Sequence, residues 1–362
     1  MIEKIAYITG TRADYGLMKS ILKDISIDPQ FELLLFPTGM HLLKKFGNTV
    51  DEIKKDFEPT KIINVTYEKD NRLSMALFTG QSVINISKAF EKYKPDLLLA
   101  LGDRGEQLAA VISAVYLNIP VIHFHGGDIS RTVDNPVRHA ISQLSTYHFT
   151  ASRKSALNLI NKGIDKNKIF VVGAPGLDEI KLLPKTTRKK QIVVLQHPAE
   201  KEKEAGKQME ETFKAVLEFK LPVFVIFPNA DAGGREIIKT IKDFSRKYSI
   251  IKTFPSLPRW DFLNLLNQSS VLVGNSSMGI IETPSLGLPA VNIGERQKGR
   301  EKAKNVIDVE YNKKEIKKAV EKCLYDKRFE KFCLGIKNPY GDGDSTKKSL
   351  EIIKKLIKNE QI

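Results

Sequence analysis

Short, continuously apolar runs recur along the chain and alternate with longer segments of helical period. In the first half the runs are Ile5–Thr9, Phe31–Pro37, Lys61–Val65, Asp96–Leu101, Pro120–Phe124 and Ile169–Val172. In the second half they are Ile192–Leu195, Pro222–Phe227, Ile250–Phe254, Val271–Val273 and Ala290–Ile293. Parallel strands covered on both faces have this composition, because neither face meets water. The alternation therefore predicts an α/β fold of the doubly wound type.

The chain is long enough for two such sheets. It has 362 residues, and a domain usually contains about 100–200. A polar segment with Pro184 and the Lys189-Lys190 pair precedes the run that starts at Ile192. We therefore expect an N-terminal domain over 1–177 and a C-terminal domain over 178–344. The amphipathic segment 345–362 is expected to form a helix that packs back on the N-terminal domain.

Composition and charge narrow the class of protein. Lys and Arg number 58 against 43 Asp and Glu, a net charge of +15. The basic residues are scattered as in a solvated surface, and no nucleic-acid-binding motif accompanies them. The two cysteines form no CxxC pair, which argues against a disulfide scaffold or a thiolate zinc site. We find neither a signal peptide nor an apolar run of about 20 residues, so we expect a cytoplasmic protein that contacts no membrane and no nucleic acid.

Two predicted strand ends in the first half carry candidate anion and acid/base groups. Ligands of open α/β sheets bind beyond the carboxyl ends of the strands. Gly10-Thr11-Arg12 follows the first run, and its backbone N–H groups and guanidinium suit an anion; an ordinary turn is the alternative. Gly102-Asp103-Arg104 follows a later run. Asp103 there suits a catalytic base or a sugar hydroxyl, and a helix N-cap is the alternative.

The densest candidate segment spans residues 123–139. It contains His125-Gly126-Gly127-Asp128 and then Asp134 and Arg138. With His123 on the same strand face as His125, a metal site with Asp128 is conceivable, but no metal-binding helical spacing supports it. Paired acid/base groups at a strand end fit the pattern better.

The second half repeats this arrangement with residues suited to a diphosphate. A turn with the sequence Gly-Asn-Ser-Ser before a short helix offers hydroxyls and N–H groups, although a Ser N-cap is the alternative. A basic loop over 294–300 suits closure on an anion, or is a solvated charge run. The candidate ligand-binding residues of this half are His197, Asn229, Ser276, Ser277, Glu282 and Arg296.

The ordered set of motifs resembles the UDP-N-acetylglucosamine 2-epimerase family, and it covers nearly the whole chain. The matching stretches are Thr11-Arg12-Ala13-Asp14-Tyr15, Gly102-Asp103-Arg104, His125-Gly126-Gly127-Asp128, Arg138-His139-Ala140, Gln196-His197-Pro198, Pro228-Asn229, Gly274-Asn275-Ser276-Ser277, Arg296-Gln297-x-Gly299-Arg300 and Tyr340-Gly341-Asp342-Gly343. Asp134 followed by Arg138-His139 is similar to the hydrolysing branch. Some members have Glu where this chain has His125, which leaves the identity of one acid/base group open.

The resemblance implies a glycosyltransferase-B-like fold, with two Rossmann-like domains facing a cleft and UDP held mainly by the second. By motif, the residues that would contact UDP are Arg12, Arg104, His197, Asn229, Ser276, Ser277, Glu282 and Arg296. The residues that would carry the chemistry are Asp103, His125, Asp128, Asp134 and Arg138. The resemblance also implies a homodimer or homotetramer, and the route requires no metal or other cofactor.

The reaction that this resemblance implies is the hydrolysing epimerisation of UDP-N-acetylglucosamine. UDP is eliminated across C1–C2 to give 2-acetamidoglucal, and water then adds to give N-acetylmannosamine, the first step of sialic-acid-type nonulosonate biosynthesis. The main alternative is the same chemistry on a UDP- or GDP-linked 2,4-diacetamido-2,4,6-trideoxyhexose of the legionaminic acid pathway. Others are a non-hydrolysing epimerase, a glycosyltransferase, a nucleotide-sugar sensor and a nucleic-acid binder.

Overall fold

The computed structural model describes residues 3–43, 49–67, 71–130, 134–199, 202–228, 233–359 and 361–362, and of Asp134 and Glu202 only the backbone. The chain separates into two units. The first unit contains Met1–Asp128, Val133–Asp178 and Tyr340–Ile362, and the second contains Ile129–Thr132 and Glu179–Pro339.

The first unit is built on a parallel sheet of six strands in the order β2-β1-β3-β4-β5-β6. Its strands are β1 (Glu3–Thr9), β2 (Phe31–Pro37), β3 (Leu97–Leu101), β4 (Val121–Phe124), β5 (Tyr147–Thr150) and β6 (Ile169–Val171). Its helices are α1 (Arg12–Ile27), α2 (Val50–Asp56), α3 (Arg72–Tyr93), α4 (Gly105–Tyr116), α5 (Asp134–Leu144), α6 (Arg153–Ile160) and α14 (Ser345–Lys358). In register, Ile5 of β1 lies between Leu33 of β2 and Leu97 of β3.

The second unit repeats this architecture, with a parallel sheet in the order β12-β11-β10-β7-β8-β9. Its strands are β7 (Ile192–Leu195), β8 (Val223–Ile226), β9 (Ile251–Phe254), β10 (Val271–Gly274), β11 (Ala290–Ile293) and β12 (Val306–Val309). Its helices are α7 (Ala205–Val216), α8 (Gly234–Lys247), α9 (Arg259–Asn267), α10 (Met278–Ile281), α11 (Thr283–Leu286), α12 (Lys313–Tyr325) and α13 (Lys327–Leu334).

Each sheet is covered on both faces, which explains the continuously apolar runs. In β1, Ile5 and Tyr7 belong to one buried cluster, whereas Ala6 and Ile8 belong to another on the opposite face. Successive side chains of a strand point to opposite faces, so both faces need apolar residues. The predicted doubly wound α/β architecture is confirmed in both units.

Two details differ from the sequence-based prediction. The run Lys61–Val65 is not a strand: Ile63 donates its N–H to Pro37 O (2.9 Å), and no ladder forms beside β2. Strand β12 was not predicted, because its half-buried sequence lacks a continuous apolar run.

The C-terminal helix α14 packs on the first unit, as predicted. Ile353 and Leu356 of α14 join the buried cluster that contains Ile21 and Leu22 of α1. The carboxylate of Asp178 accepts hydrogen bonds from the N–H groups of the helix's first turn, at Ser345 (3.0 Å) and Thr346 (2.7 Å). This contact fixes the start of the returning helix.

The strand order reverses once in each sheet. In the first sheet it reverses between β1 and β3, and in the second between β7 and β10. We call these places the first and the second switch point. Neighbouring connections leave a switch point on opposite faces, so a crevice opens beyond the strand ends there, and ligands of such sheets bind in it.

Candidate active site

At the first switch point, Gln107 ties the ends of β1 and β3 together. Its Oε1 accepts a hydrogen bond from Leu101 N (3.1 Å), and its Nε2 donates one to Ile8 O (2.7 Å). The carboxamide lies on the first turn of α4 and is fully buried. It holds the two strands where their connections diverge, and the segments that carry Arg12 and Asp103 follow directly.

Arg12 is the first residue of α1, beyond the end of β1. Thr11 caps this helix in a capping box with Asp14. The Arg12 guanidinium forms an ion pair with Glu52 of α2, in which Nε lies 2.8 Å from Glu52 Oε2. The side chain of Arg12 is one-fifth exposed. It therefore places a cation at the first switch point, as the sequence predicted, with a carboxylate partner that the sequence did not predict.

Asp103 lies in the turn between β3 and α4 and pairs with Arg138 of α5. Arg138 is 4% exposed and also donates from Nη1 to Asp128 O (3.0 Å). The N-cap of α4 is Arg104, so the alternative reading of Asp103 as a cap is wrong. The structure thus brings two predicted catalytic residues, Asp103 and Asp128, into contact with the buried guanidinium of a third, Arg138.

His125 and Asp128 form a second contact at this edge of the sheet. His125 Nδ1 lies 3.7 Å from Asp128 Oδ2, and Ser155 Oγ donates to Asp128 Oδ1 (2.5 Å). His125 Nε2 is buried and has no hydrogen-bond partner among the described residues. An imidazole with a carboxylate oxygen 3.7 Å from one nitrogen, and no described partner at the other, is suited to proton transfer.

The turn that carries His125 has an unusual backbone. His125 has a φ of 60° and Gly127 a φ of 79°. A Cβ on Gly127 would lie 2.1 Å from Ser155 O, so only glycine fits there. The prediction that His123 and His125 share a strand face is wrong, since β4 ends at Phe124 and His125 lies in this turn.

His123 is held inside the protein. Its Nε2 contacts Gly102 O (2.8 Å) and its Nδ1 contacts Ser142 Oγ (3.1 Å). Burial lowers the pKa of His123 to about 3, so the ring is neutral and structural. Within the described part of the chain, no group of three or more His, Cys, Asp or Glu side chains is arranged to hold a metal ion.

Arg104 lies beside Asp103 at the same switch point. Its Nε donates to Glu106 Oε1 (2.6 Å), and its Nη2 donates to Tyr67 Oη (3.2 Å). Two predicted residues cannot be placed in this way. The side chain of Asp134, at the start of α5, lies outside the described residues, and so does the whole of Asn229.

At the second switch point, Asn275 connects the ends of β7 and β10. Its Oδ1 accepts from His197 N (2.7 Å), and its Nδ2 donates to His197 O (2.9 Å). The backbone carbonyl of Asn275 in turn accepts from Arg296 Nη1 (3.2 Å) and Gln297 Nε2 (2.8 Å). Three predicted segments, after β7, β10 and β11, therefore meet around one buried asparagine.

His197 is neutral at physiological pH. Burial lowers its pKa well below the ordinary value, and the nearby Arg296 guanidinium lowers it further. A neutral ring can donate or accept a hydrogen bond toward a diphosphate oxygen or a base without adding charge. The positive charge of this site comes from Arg296.

The predicted Ser276, Ser277 and Glu282 follow β10. Ser277 is the N-cap residue of α10 without a side-chain cap bond, while Ser276 Oγ accepts from Met278 N (3.4 Å). Glu282 is 3% exposed, and its Oε1 lies 3.6 Å from Arg259 Nη2. A buried carboxylate whose Oε2 has no partner in the described part of the chain is suited to accept hydrogen bonds from two ribose hydroxyls.

Sequence reasoning missed four residues that organise these sites. They are Glu106, Gln107, Arg259 and, within a recognised motif, Asn275. For Glu106 and Gln107 the sequence offered a signal, since a carboxylate and a carboxamide follow Gly102-Asp103-Arg104 after a single glycine. Arg259 gave no signal, because it reaches Glu282 from a helix that is distant in the sequence.

No helix among the described residues has the length and apolar content to cross a bilayer.

Comparisons with known proteins agree with this arrangement. A family model described as UDP-N-acetylglucosamine 2-epimerase matches residues 23–354. The hydrolysing UDP-N,N′-diacetylbacillosamine 2-epimerase of Legionella pneumophila is 40% identical over 376 residues, which cover 100% of this chain and 98% of that protein. The UDP-N-acetylglucosamine 2-epimerase of Neisseria meningitidis serogroup B is 30% identical, with 99% of this chain and 96% of that protein covered.

A solved structure shows the same fold. The crystal structure of the UDP-GlcNAc 2-epimerase from Neisseria meningitidis bound to UDP-GlcNAc superposes with a TM-score of 0.81. The similarity covers 97% of this chain and 100% of that chain at 20% identity. The predicted fold of two Rossmann-like domains is therefore confirmed.

Proposed function

The chain belongs to the UDP-N-acetylglucosamine 2-epimerase family, and we propose that it is a hydrolysing 2-epimerase that acts on UDP-N,N′-diacetylbacillosamine. The observation that carries the reaction type is the cluster of Asp103, His125, Asp128 and Arg138 at the first switch point. The choice of sugar is supported by the 40% identity to the Legionella enzyme over the full length of the chain.

The proposed reaction is an elimination followed by a hydration. In the elimination, a base removes the proton from C2, the bond between C1 and the UDP oxygen breaks, and a C1–C2 double bond forms. In the hydration, the oxygen of water bonds to C1 and a proton returns to C2 on the opposite face. The products are UDP and the free manno-configured sugar. No net oxidation occurs, so the route requires no redox cofactor.

Proton transfer at C2 is assigned to the groups of the first switch point. The Arg138 guanidinium fixes the Asp103 carboxylate, and Asp128 orients His125. One of these groups removes the proton, and another manages the addition of water. Asp134 keeps its predicted catalytic role as part of this proposal.

Departure of UDP is assigned to cations and hydrogen-bond donors at both switch points. The C2 proton is not adjacent to a carbonyl group, so its removal requires positive character at C1 and a well-stabilised leaving diphosphate. We assign UDP contacts to Arg12 and Arg104 in the first unit. In the second unit we assign them to His197, Asn229, Ser276, Ser277, Glu282 and Arg296.

UDP-N-acetylglucosamine is the second candidate substrate. It is the sugar that the sequence motifs favoured, and the 30% identical relative from Neisseria meningitidis carries its name. The two sugars differ at C4, which has an acetamido group or a hydroxyl, and at C6, which has a methyl or a hydroxymethyl group. Because the more similar relative acts on the diacetylated sugar, we place that sugar first.

Proton NMR in D₂O tests both the reaction and the substrate. The protein is mixed with each nucleotide sugar in turn, and kcat/KM is compared. We expect free UDP and a manno-configured sugar deuterated at C2, with kcat/KM at least about tenfold higher for the diacetylated sugar. A reversed preference would select UDP-N-acetylglucosamine. A product that keeps its UDP would assign the chain to non-hydrolysing chemistry, and UDP release that needs an added acceptor would indicate a glycosyltransferase.

A further inference from the structure

Glu106 is a buried carboxylate at the first switch point that has no part in the proposed reaction. It lies on the first turn of α4 and is 1% exposed. Its Oε1 accepts from Arg104 Nε (2.6 Å), and its Oε2 has no hydrogen-bond partner among the described residues. A buried carboxylate is costly unless it is paired, so its position calls for a reason.

Glu106 and its neighbour Gln107 have different kinds of hydrogen-bond partner. Gln107 bonds two backbone groups, Leu101 N and Ile8 O, and so connects two strands. Among the described residues, Glu106 bonds no backbone group, and its one hydrogen-bond partner is the Arg104 guanidinium. Gln107 therefore stabilises the sheet, whereas Glu106 fixes the direction of an arginine side chain.

Arg104 is held from a second side by Tyr67. Its Nη2 donates to Tyr67 Oη (3.2 Å), and the Tyr67 ring stacks on Phe78 of α3 at 4.1 Å between ring centroids. Two anchors on different nitrogens define the plane of the guanidinium. A free arginine side chain loses rotamer entropy when it is ordered, so anchoring it in advance favours binding of an anion.

Gly10 leaves room for the Glu106 carboxylate. A Cβ built on Gly10 would lie 2.1 Å from Glu106 Oε1. The φ of Gly10 is not in the left-handed region, so the backbone itself would accept alanine. The missing side chain of Gly10 therefore leaves the space that the carboxylate occupies, and the turn before Arg12 is packed directly against the anchor of Arg104.

We propose that Glu106 is a positioning residue that orients the Arg104 guanidinium toward the diphosphate of the substrate, in space that Gly10 leaves open. The role of Arg104 in this statement rests on the proposed function. Glu106 does not touch the substrate; it acts through Arg104.

A double-variant cycle tests whether Glu106 acts through Arg104. The variants are Glu106→Ala, Arg104→Ala and the double variant, and the readouts are kcat/KM and the Kd of UDP. A displaced catalytic contact costs up to about 100-fold, so we expect each single variant to lose about 10- to 100-fold in kcat/KM. The double variant should be no worse than Arg104→Ala. Glu106→Gln should recover most of the activity, because its amide oxygen still accepts from Arg104 Nε.

Gly10→Ala moves the carboxylate without removing it. The added methyl should displace the end of the Glu106 side chain, which is flexible, and so lower kcat/KM as Glu106→Ala does. The same change should have no effect in the Glu106→Ala background, where the methyl meets no carboxylate. Ser113→Ala is the control: Ser113 is a buried polar residue of the same helix that bonds Ser87 (2.9 Å). Its removal should leave kcat/KM within twofold of wild type.

Two outcomes would overturn the inference. One is a double variant in which the losses multiply, since Glu106 would then act independently of Arg104. The other is a Glu106→Ala variant with unchanged kcat/KM and unchanged UDP affinity. Failure of the proposed function has a different signature: wild-type protein would release no UDP from either nucleotide sugar. In that case the same cycle is measured through the Kd of UDP, and coupling there supports the positioning role.

Discussion

At both switch points a side chain hydrogen-bonds the ends of two strands together, but the surrounding residues differ in their chemistry. At each of them a buried carboxamide ties two strand ends together: Gln107 in the first unit and Asn275 in the second. Around Gln107 the neighbouring side chains include Asp103, with Arg138 as its partner. Around Asn275 they include the neutral His197 and a cation, Arg296.

This difference shows how one architecture is divided between two tasks. Proton transfer requires ionisable groups close to each other, as in the cluster of Asp103, His125 and Asp128. Holding a nucleotide requires N–H groups, hydroxyls and fixed positive charge. Each unit has a six-stranded parallel sheet with one switch point, so the difference in chemistry resides in the turns after the strands, where α/β folds vary most freely. In the proposed function, the first switch point performs the chemistry and the second holds UDP.

The largest expected effect is the loss of turnover in Asp103→Asn. The amide still accepts a hydrogen bond from Arg138, but it cannot accept a proton. We expect kcat to fall by about 10³-fold, while the Kd of UDP measured by calorimetry stays within threefold. Such a result would separate the two switch points by function.

Asp96→Asn is the matched control for this change. Asp96 directly precedes β3, whereas Asp103 follows it, and Asp96 Oδ2 accepts from Lys4 N (2.8 Å). We expect normal kcat in this variant, because Asp96 lies at the opposite end of the strand from the crevice. If Asp103→Asn kept more than a tenth of wild-type kcat, or if UDP binding fell in parallel with kcat, the division of tasks would be wrong.

Acid should destabilise the first unit more than the second. Burial lowers the pKa of His41 to about 4, of His123 to about 3 and of His148 to about 4, all in the first unit. The second unit has His197, whose pKa burial also lowers. Because the folded pKa is below the unfolded value, stability is complete above pH 6.5 and is lost as pH falls toward the folded pKa. From pH 6.5 to 5, each ring costs about 2 kcal/mol.

Urea unfolding at pH 7 and pH 5 measures this difference. Trp260 is the single tryptophan of the chain, and its fluorescence reports on the second unit, while far-UV circular dichroism reports on both. At pH 5 we expect the dichroism midpoint to fall further than the fluorescence midpoint. His148→Leu should recover about 2 kcal/mol of the loss, since His148 Nδ1 has no partner among the described residues. Equal shifts of the two probes would contradict the prediction.

A smaller effect, on UDP binding, is expected when the Asn275 side chain at the second switch point is removed. Asn275→Ala breaks both side-chain bonds to the His197 backbone. It should raise the Kd of UDP by about tenfold, because the His197 backbone loses both of these bonds, while Arg296 keeps the backbone carbonyl of residue 275 as its acceptor. Asn305→Ala is the control, since Asn305 is also fully buried and bonds Leu288 O (2.8 Å). We expect a similar loss of stability there and unchanged UDP binding; equal weakening in both variants would assign Asn275 a purely structural role.

Much of the fold could be predicted because doubly covered strands leave a local signal. Phe31–Pro37 and Ile192–Leu195 were predicted with the observed bounds. Lys61–Val65 has the same apolar character but pairs irregularly beside β2, so local sequence could not distinguish it from a strand. Strand β12 lies at the edge of its sheet and is half-buried, and an edge strand needs fewer apolar residues.

The site was predictable where a residue follows a strand directly, and not where a partner comes from elsewhere. The positions of Asp103, Asp128 and Arg138 followed from strand ends and a helix start. That Arg138 would reach Asp103 did not follow, because the pair spans 35 residues in sequence. The pairing of Arg12 with Glu52 could not be predicted for the same reason, because the two residues are far apart in the sequence. The roles assigned to all of these residues, and to Asp134 and Asn229, stay predictions until the variants are measured.

The smallest expected effect concerns the cation at the first switch point. Arg12 is paired with a carboxylate, Glu52, whereas Arg296 at the second switch point donates to the neutral carbonyl of Asn275. A diphosphate that binds Arg12 must therefore compete with Glu52. Partly exposed ion pairs contribute about 0.2–1 kcal/mol, so Glu52→Gln should lower KM for the nucleotide sugar by about threefold. The gain should shrink as salt is added, because salt screens the competing charge.

Asp51→Asn removes the same charge one residue away on α2 and leaves the ion pair between Glu52 and Arg12 in place. It should change KM less than Glu52→Gln does if competition for the guanidinium is the cause. A higher KM in Glu52→Gln would carry the opposite meaning: Glu52 would then hold Arg12 in its binding position, as Glu106 is proposed to hold Arg104. The first switch point would in that case orient both of its arginines with carboxylates, and the second would orient its arginine with a backbone carbonyl.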